Sequence, residues 1–148
     1  PIPSTAPSTP KPPEPAPTLA ELRDKMLARA DVVRVEWTPT KDPSAKGATG
    51  DVVWSPSEQK GYMRFRGLST NERTKAQYQL WIFDKNQDQK TPVDGGVFDV
   101  LESSGDVIVP IEAKLHVVEP TLFAVTVEKP GGVVVSKRER IVVTAAPK

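Results

Sequence analysis

After Asp31 apolar and polar residues alternate with a period of two: Val33, Val35 and Trp37 step past Arg34 and Glu36. A strand with one buried face has this pattern, because successive side chains point to opposite sides of a sheet. Read along the chain, it predicts strands at 32–37, 51–54, 62–67, 77–83, 96–100, 106–117, 122–128, 132–136 and 140–145. Turn-rich stretches such as Thr38 to Gly50 and Asp84 to Asp94 separate them. Many short strands with turn signals between them predict an all-β fold, an antiparallel β-sandwich of Ig-like or Greek-key type. The segment 77–83 is apolar on both faces, with Tyr78, Leu80 and Ile82 on one and Trp81 and Phe83 on the other, and so belongs in the middle of a sheet. Its second face is either covered by the helix or a loop, or it offers an aromatic patch to a partner; large aromatics favour cover. Tyr78, Trp81 and Phe83 are therefore the candidate partner surface.

Two local signals punctuate the strands. Lys129-Pro130-Gly131-Gly132 places Pro130 and Gly131 at the centre of a type II turn followed by Gly132, which predicts a hairpin of 122–128 with 132–136. Pro110, lacking an amide donor, marks a bulge or an edge position within 106–117.

Upstream the periodicity changes. Thr18 and Glu21 have capping-box spacing, and Leu19, Leu22, Met26 and Ala30 recur at intervals of three and four, predicting an amphipathic helix over 18–30. The stripe is narrow, and Arg23, Asp24, Lys25 and Arg29 occupy the other face, so the helix should lie on the domain surface. Before it, residues 1–17 contain prolines at 1, 3, 7, 10, 12, 13, 15 and 17 among Ser, Thr and Ala. Such a tract has nothing to build a core from. It is predicted to be an extended polyproline spacer reaching up to about 50 Å at roughly 3.1 Å per residue. Two units follow: a linker or stalk over 1–17, and one domain over 18–148 made of the helix and a β-sandwich spanning 32–146. The opening Pro1, in place of Met, points to a fragment or a processed form, with any membrane anchor lying upstream.

Composition removes several classes of function. Lys and Arg (20) nearly cancel Asp and Glu (19), leaving a formal charge of +1 and no global field for nucleic acid or anionic lipid. Arg64 with Arg66, and Lys137 with Arg138 and Arg140, are dispersed charges on solvated faces. There is no cysteine, hence no disulfide, thiolate metal site or cysteine nucleophile. The one histidine, His116, should point outward with Lys114 while Leu115 and Val117 point inward, and no Gly-x-Ser-x-Gly elbow accompanies it. Asp84, Asn86 and Asp88 match the first, third and fifth positions of a calcium loop. Gln89 stands where glycine is required and Gly95 where glutamate is, so an Asp/Asn-rich turn explains them better. No enzyme, cofactor or metal is expected.

Several stretches together form a family pattern: Trp54-Ser55-Pro56, Gly67-Leu68, Tyr78-Gln79-Leu80-Trp81, Gly95-Gly96-Val97-Phe98, and Val125-Thr126-Val127-Glu128-Lys129-Pro130-Gly131-Gly132. In this order the stretch from Gly50 to Ala145 resembles the C-terminal, extracytoplasmic domain of the bacterial anti-sigma-K factor family. It departs from the family between Leu68 and Tyr78, where Ser69 to Lys75 replace a proline-rich loop. The resemblance implies a regulatory module, tethered outside the cytoplasmic membrane by an upstream membrane helix. A cytoplasmic domain beyond this chain would hold a sigma factor, to be released when a protease cuts the stalk. It carries over no catalytic residue. The main rival is a secreted or surface β-sandwich that binds carbohydrate or a cell-wall ligand.

Overall fold

A computed structural model describes residues 17–86, 91–102 and 104–147, so residues 1–16 of the spacer, and Asp88 and Gln89 of the calcium-like loop, lie outside the described residues. Helix α1 (Leu19–Leu27) precedes β1 (Val33–Glu36), β2 (Thr38–Pro39), β3 (Thr49–Ser55), β4 (Lys60–Arg66), β5 (Gln77–Asp84), β6 (Val93–Phe98), β7 (Val107–Pro110), β8 (Pro120–Glu128) and β9 (Ile141–Ala145). Two antiparallel sheets form a sandwich, one ordered β1-β3-β4-β7 and the other β2-β9-β8-β5-β6.

The core lies where the alternation points. Val52 and Trp54 of β3, with Met63 and Phe65 of β4, face Tyr78, Leu80 and Ile82 of β5 and Phe123 and Val125 of β8, all nearly or fully buried. A row of rings runs through the centre. Trp37 stacks on Phe65 (5.4 Å), Phe65 on Phe98 (5.4 Å) and Phe98 on Tyr78 (5.6 Å), at separations within the favourable range for offset aromatic pairs. The Tyr78 hydroxyl donates to the Ser69 carbonyl at 2.6 Å, so its polar end is satisfied inside.

Both open sides of the sandwich are crossed by the chain. At Trp37 it steps from β1 in one sheet to β2 in the other. Beyond Pro110 it steps back: the Ile111 amide bonds to Gly61 of β4, and those of Glu112 and Lys114 bond to Gly95 and Asp94 of β6. That crossing ends the predicted strand 106–117 at Pro110. The alternation beyond Pro110 belongs to a bridging segment that puts Ile111 and Val117 in the core, whereas Leu115, expected inward with Val117, is exposed beside His116.

Further boundaries differ from the sequence reading, and β6 runs over Val93–Phe98 instead of 96–100. The helix is shorter than 18–30: Thr18 is its N-cap, accepting the Glu21 amide, and Ala28 its C-cap. Segment 132–136 is not a strand. The turn at Lys129 to Gly132 does close, with the Gly132 amide donating to the Lys129 carbonyl and Gly131 at φ +86°, but β8 pairs with β9 instead. The intervening residues 129–140 pass over the outside of the β5-containing sheet.

Candidate functional site

The inner and outer faces of β5 do different work. Tyr78 belongs to the central core, whereas Trp81 and Phe83 form a second, outer cluster with Ala124, flanked by Leu122, Val133 and Ile141. Tyr78, Trp81 and Phe83 are 2%, 1% and 6% exposed, so none of the three presents a face to a partner as the chain stands. The structure does not bring them together as a surface. What covers Trp81 and Phe83 is the strap 129–140, and not the helix.

The strap is tied down by polar groups that substitute for a strand. Gln79, buried on the same face as Trp81, donates from Nε2 to the Val133 carbonyl (3.0 Å) and accepts the Val133 amide at Oε1 (2.9 Å). Gln77 accepts the Gly131 amide at 2.8 Å. A hydrogen-bonded chain then leads inward. The Trp81 indole N–H donates to Thr126 Oγ1 (2.9 Å), Thr126 donates to Glu128 Oε2 (2.5 Å), and Ser136 of the strap donates to the same oxygen (2.5 Å). The Arg138 guanidinium lies 5.0 Å from the centre of the Phe83 ring, a cation–π distance. Val134 and Val135 are thereby left on the outside, 91% and 58% exposed.

The opposite outer face, on β3, holds a buried ionic node that the sequence reading missed. Asp51 is fully buried and takes three arginines. Arg23 of α1 donates to both carboxylate oxygens at 2.6 Å, Arg34 of β1 approaches at 2.9 Å and Arg64 of β4 at 3.2 Å. Burial alone would raise the Asp51 pKa, but the hydrogen bonds from Arg23, Arg64 and Arg34 outweigh it and hold the carboxyl below the usual range. Arg64 is raised in turn, first by its bond to Asp51. Arg23, expected on the solvated face of the helix, is instead 8% exposed. An acidic residue at the head of the apolar run Val52-Val53-Trp54, with arginines on the flanking strands, is the signal that marks such a node.

The remaining candidates are accounted for. Of the dispersed basic residues, Arg66 pairs with Asp106 and Arg140 with Asp42. Asp84 spends its carboxylate on the backbone amides of Val118 (2.8 Å), Glu119 (3.0 Å) and Asn86 (3.2 Å), which locks a turn and leaves little for a cation. No group of metal-ligating side chains occurs among the described residues. An open cleft of about 910 Å³ runs beside β1; its lining mixes Val33, Val35, Pro56 and Pro120 with Arg34, Glu36 and Glu119 and includes no aromatic side chain. No helix among the described residues is long and apolar enough to cross a membrane.

Neither the curated proteins nor the solved structures contain a match to this chain. A family model described as anti-sigma-K factor RskA, C-terminal, matches residues 3–137, which takes in the Asp51 node, strands β1 to β8 and most of the strap. The chain belongs to the family of anti-sigma-K factor RskA C-terminal domains.

Proposed function

We propose that this chain is the extracytoplasmic regulatory domain of a membrane-anchored anti-sigma factor, and that it governs release of the sigma factor by controlling proteolysis of the stalk. The observation that carries the reading is the family match over residues 3–137, since an anti-sigma factor family implies a sigma factor as partner. That partner would be held by a cytoplasmic domain outside this chain. A regulatory, non-catalytic role agrees with the way the polar side chains are spent, because the buried Asp51, Gln79 and Asp84 are all bonded to the protein's own groups.

The stalk is residues 1–17, and the folded unit begins at Thr18. Proline-rich sequence offers a protease little competing structure, whereas the strands of the sandwich are closed to cleavage until they open. Helix α1 stands between the two and gates access to the stalk. Limited proteolysis of the chain tests this reading: cuts should concentrate within 1–17 and spare the β region. Cuts concentrated in the β region while 1–17 stays intact would overturn it.

The rival, a binding module for carbohydrate or a cell-wall ligand, would use the cleft beside β1. Ligand pockets are usually enclosed and lined with aromatic side chains and a few converging polar groups, and this cleft is open and holds no aromatic side chain. The regulatory reading is therefore preferred.

A further inference from the structure

We infer that helix α1 is a separately releasable element, and that the Asp51 node is the latch that holds it to an otherwise self-sufficient sandwich. The regulatory use of this latch rests on the stalk reading above; its physics does not.

The helix is weakly anchored. It has nine residues, too few to be stable alone in water. Only Arg23 and Met26 of it are buried, while Leu19 is 40% exposed. It lies across β3, β4 and β7, yet neither of the two buried apolar clusters includes a helix residue. Met26 is its one buried apolar residue, with Leu22 and Leu27 half-buried, and the Arg23–Asp51 pair supplies the direction. The sheets of the sandwich, by contrast, share a stacked aromatic core.

The composition of the node is what makes release feasible. Breaking a buried ion pair normally strands a charge, and the stranded partner dominates the cost. Here Asp51 keeps two cations when the helix leaves, because Arg34 belongs to β1 and Arg64 to β4, the strands flanking β3. Arg34 is already half exposed and Arg64 partly so, and Arg23 passes into water where its charge is fully hydrated. The node has one arginine that can go and two that remain. A carboxylate with a single arginine would have fused helix and sheet into one cooperative unit. Three arginines around one carboxylate permit a two-state element with the sandwich unchanged on either side of the transition.

The test is native-state hydrogen exchange on the full 148-residue chain, following the helical amides from Leu22 to Arg29 and, as an internal reference, those of β5 and β8. In the unmodified chain the helical amides should exchange by a route insensitive to low denaturant, at least tenfold faster than the β5 and β8 amides. Arg23→Met keeps the aliphatic stem and deletes the charge; it should speed the helical amides at least tenfold further and leave β5 and β8 within twofold. Met26→Ala should act on the same amides in the same direction. Asp51→Asn should speed both sets, since Arg34 and Arg64 then lose their partner. Exchange of helix and core at one common rate, or an Arg23→Met variant with unchanged helical amides, would overturn the latch. If the helix opens as described while Arg23→Met leaves stalk cleavage unaltered in cells, the latch stands and the proteolytic reading falls.

Discussion

Gly131 and Gly132 are adjacent, share a left-handed backbone (φ +86° and +77°), and yet differ in what surrounds them. A Cβ added to Gly131 meets nothing within 4 Å; one added to Gly132 lies 2.5 Å from Val97 Cγ2 and 2.8 Å from Gln79 Oε1. Alanine at either position carries the left-handed penalty of about 1–2 kcal/mol. Reduced freedom of the unfolded chain offsets about 0.4–1 kcal/mol of that, so Gly131→Ala should lose about 1 kcal/mol. At Gly132 the methyl group also displaces the Gln79 amide, which holds both the amide and the carbonyl of Val133. At about 1 kcal/mol for each hydrogen bond, Gly132→Ala should lose about 3 kcal/mol, and more if Trp81 and Phe83 become wet. Urea denaturation followed by tryptophan fluorescence measures both variants on one scale. A gap of about 2 kcal/mol between two neighbouring glycines is expected; a gap under about 0.5 kcal/mol would refute the seating of the strap on Gln79, given the usual size of such bonds.

Other expectations follow from the same geometry. Trp81→Phe should cost about 1 kcal/mol more than Trp54→Phe after allowance for volume, because Trp81 loses a bond to Thr126, whereas the buried Trp54 indole N–H has no partner among the described residues; denaturation midpoints decide it. Asp51→Asn should lower stability by about 3–5 kcal/mol, as it leaves arginines gathered around a neutral amide. Acid should unfold the domain in a defined window. The Asp31 pKa is drawn down to about 2, chiefly by the Ser57 hydroxyl, and those of Asp42, Asp51, Asp84 and Asp99 are also lowered. A carboxylate whose folded pKa is depressed stabilises above its unfolded pKa of about 3.9 and loses that contribution as pH falls through the folded value. Thermal unfolding temperatures should thus be level near neutrality and drop from about pH 4 downward; a fall that begins near pH 6 would contradict the carboxylate account.

The sandwich was legible because apolar residues recur at every second position along its strands. Val52 and Trp54, and Tyr78, Leu80 and Ile82, meet in the core as the period of two requires. Cover over Trp81 and Phe83 was also legible from their size, though not what supplies it. Val133, Val134 and Val135 resemble a strand in sequence, and the side chain of Gln79, by taking both backbone groups of Val133, holds that segment as a strap. Pattern reading assigns glutamine to solvent and has no means of seeing it imitate a strand. The same limit hid the Asp51 node. Periodicity places Arg23 on the polar side of the helix, and it is the attraction of a buried carboxylate, distant in sequence, that turns this arginine inward. The extent of 106–117 was misjudged for a related reason: Lys114 to Val117 continue the alternation after the backbone has already crossed to β6. Hydrophobic period reports which side of the chain is apolar, and not which sheet it has joined.

The most direct measurement of the regulatory account is a sigma-dependent reporter in cells carrying the full-length anti-sigma factor, compared with forms bearing Asp51→Asn or lacking residues 18–148, together with immunoblotting of the stalk. Both altered forms should raise the reporter and yield a shortened, membrane-retained fragment. A reporter that stays silent in both, with the stalk uncut, would contradict control of the sigma factor by this domain.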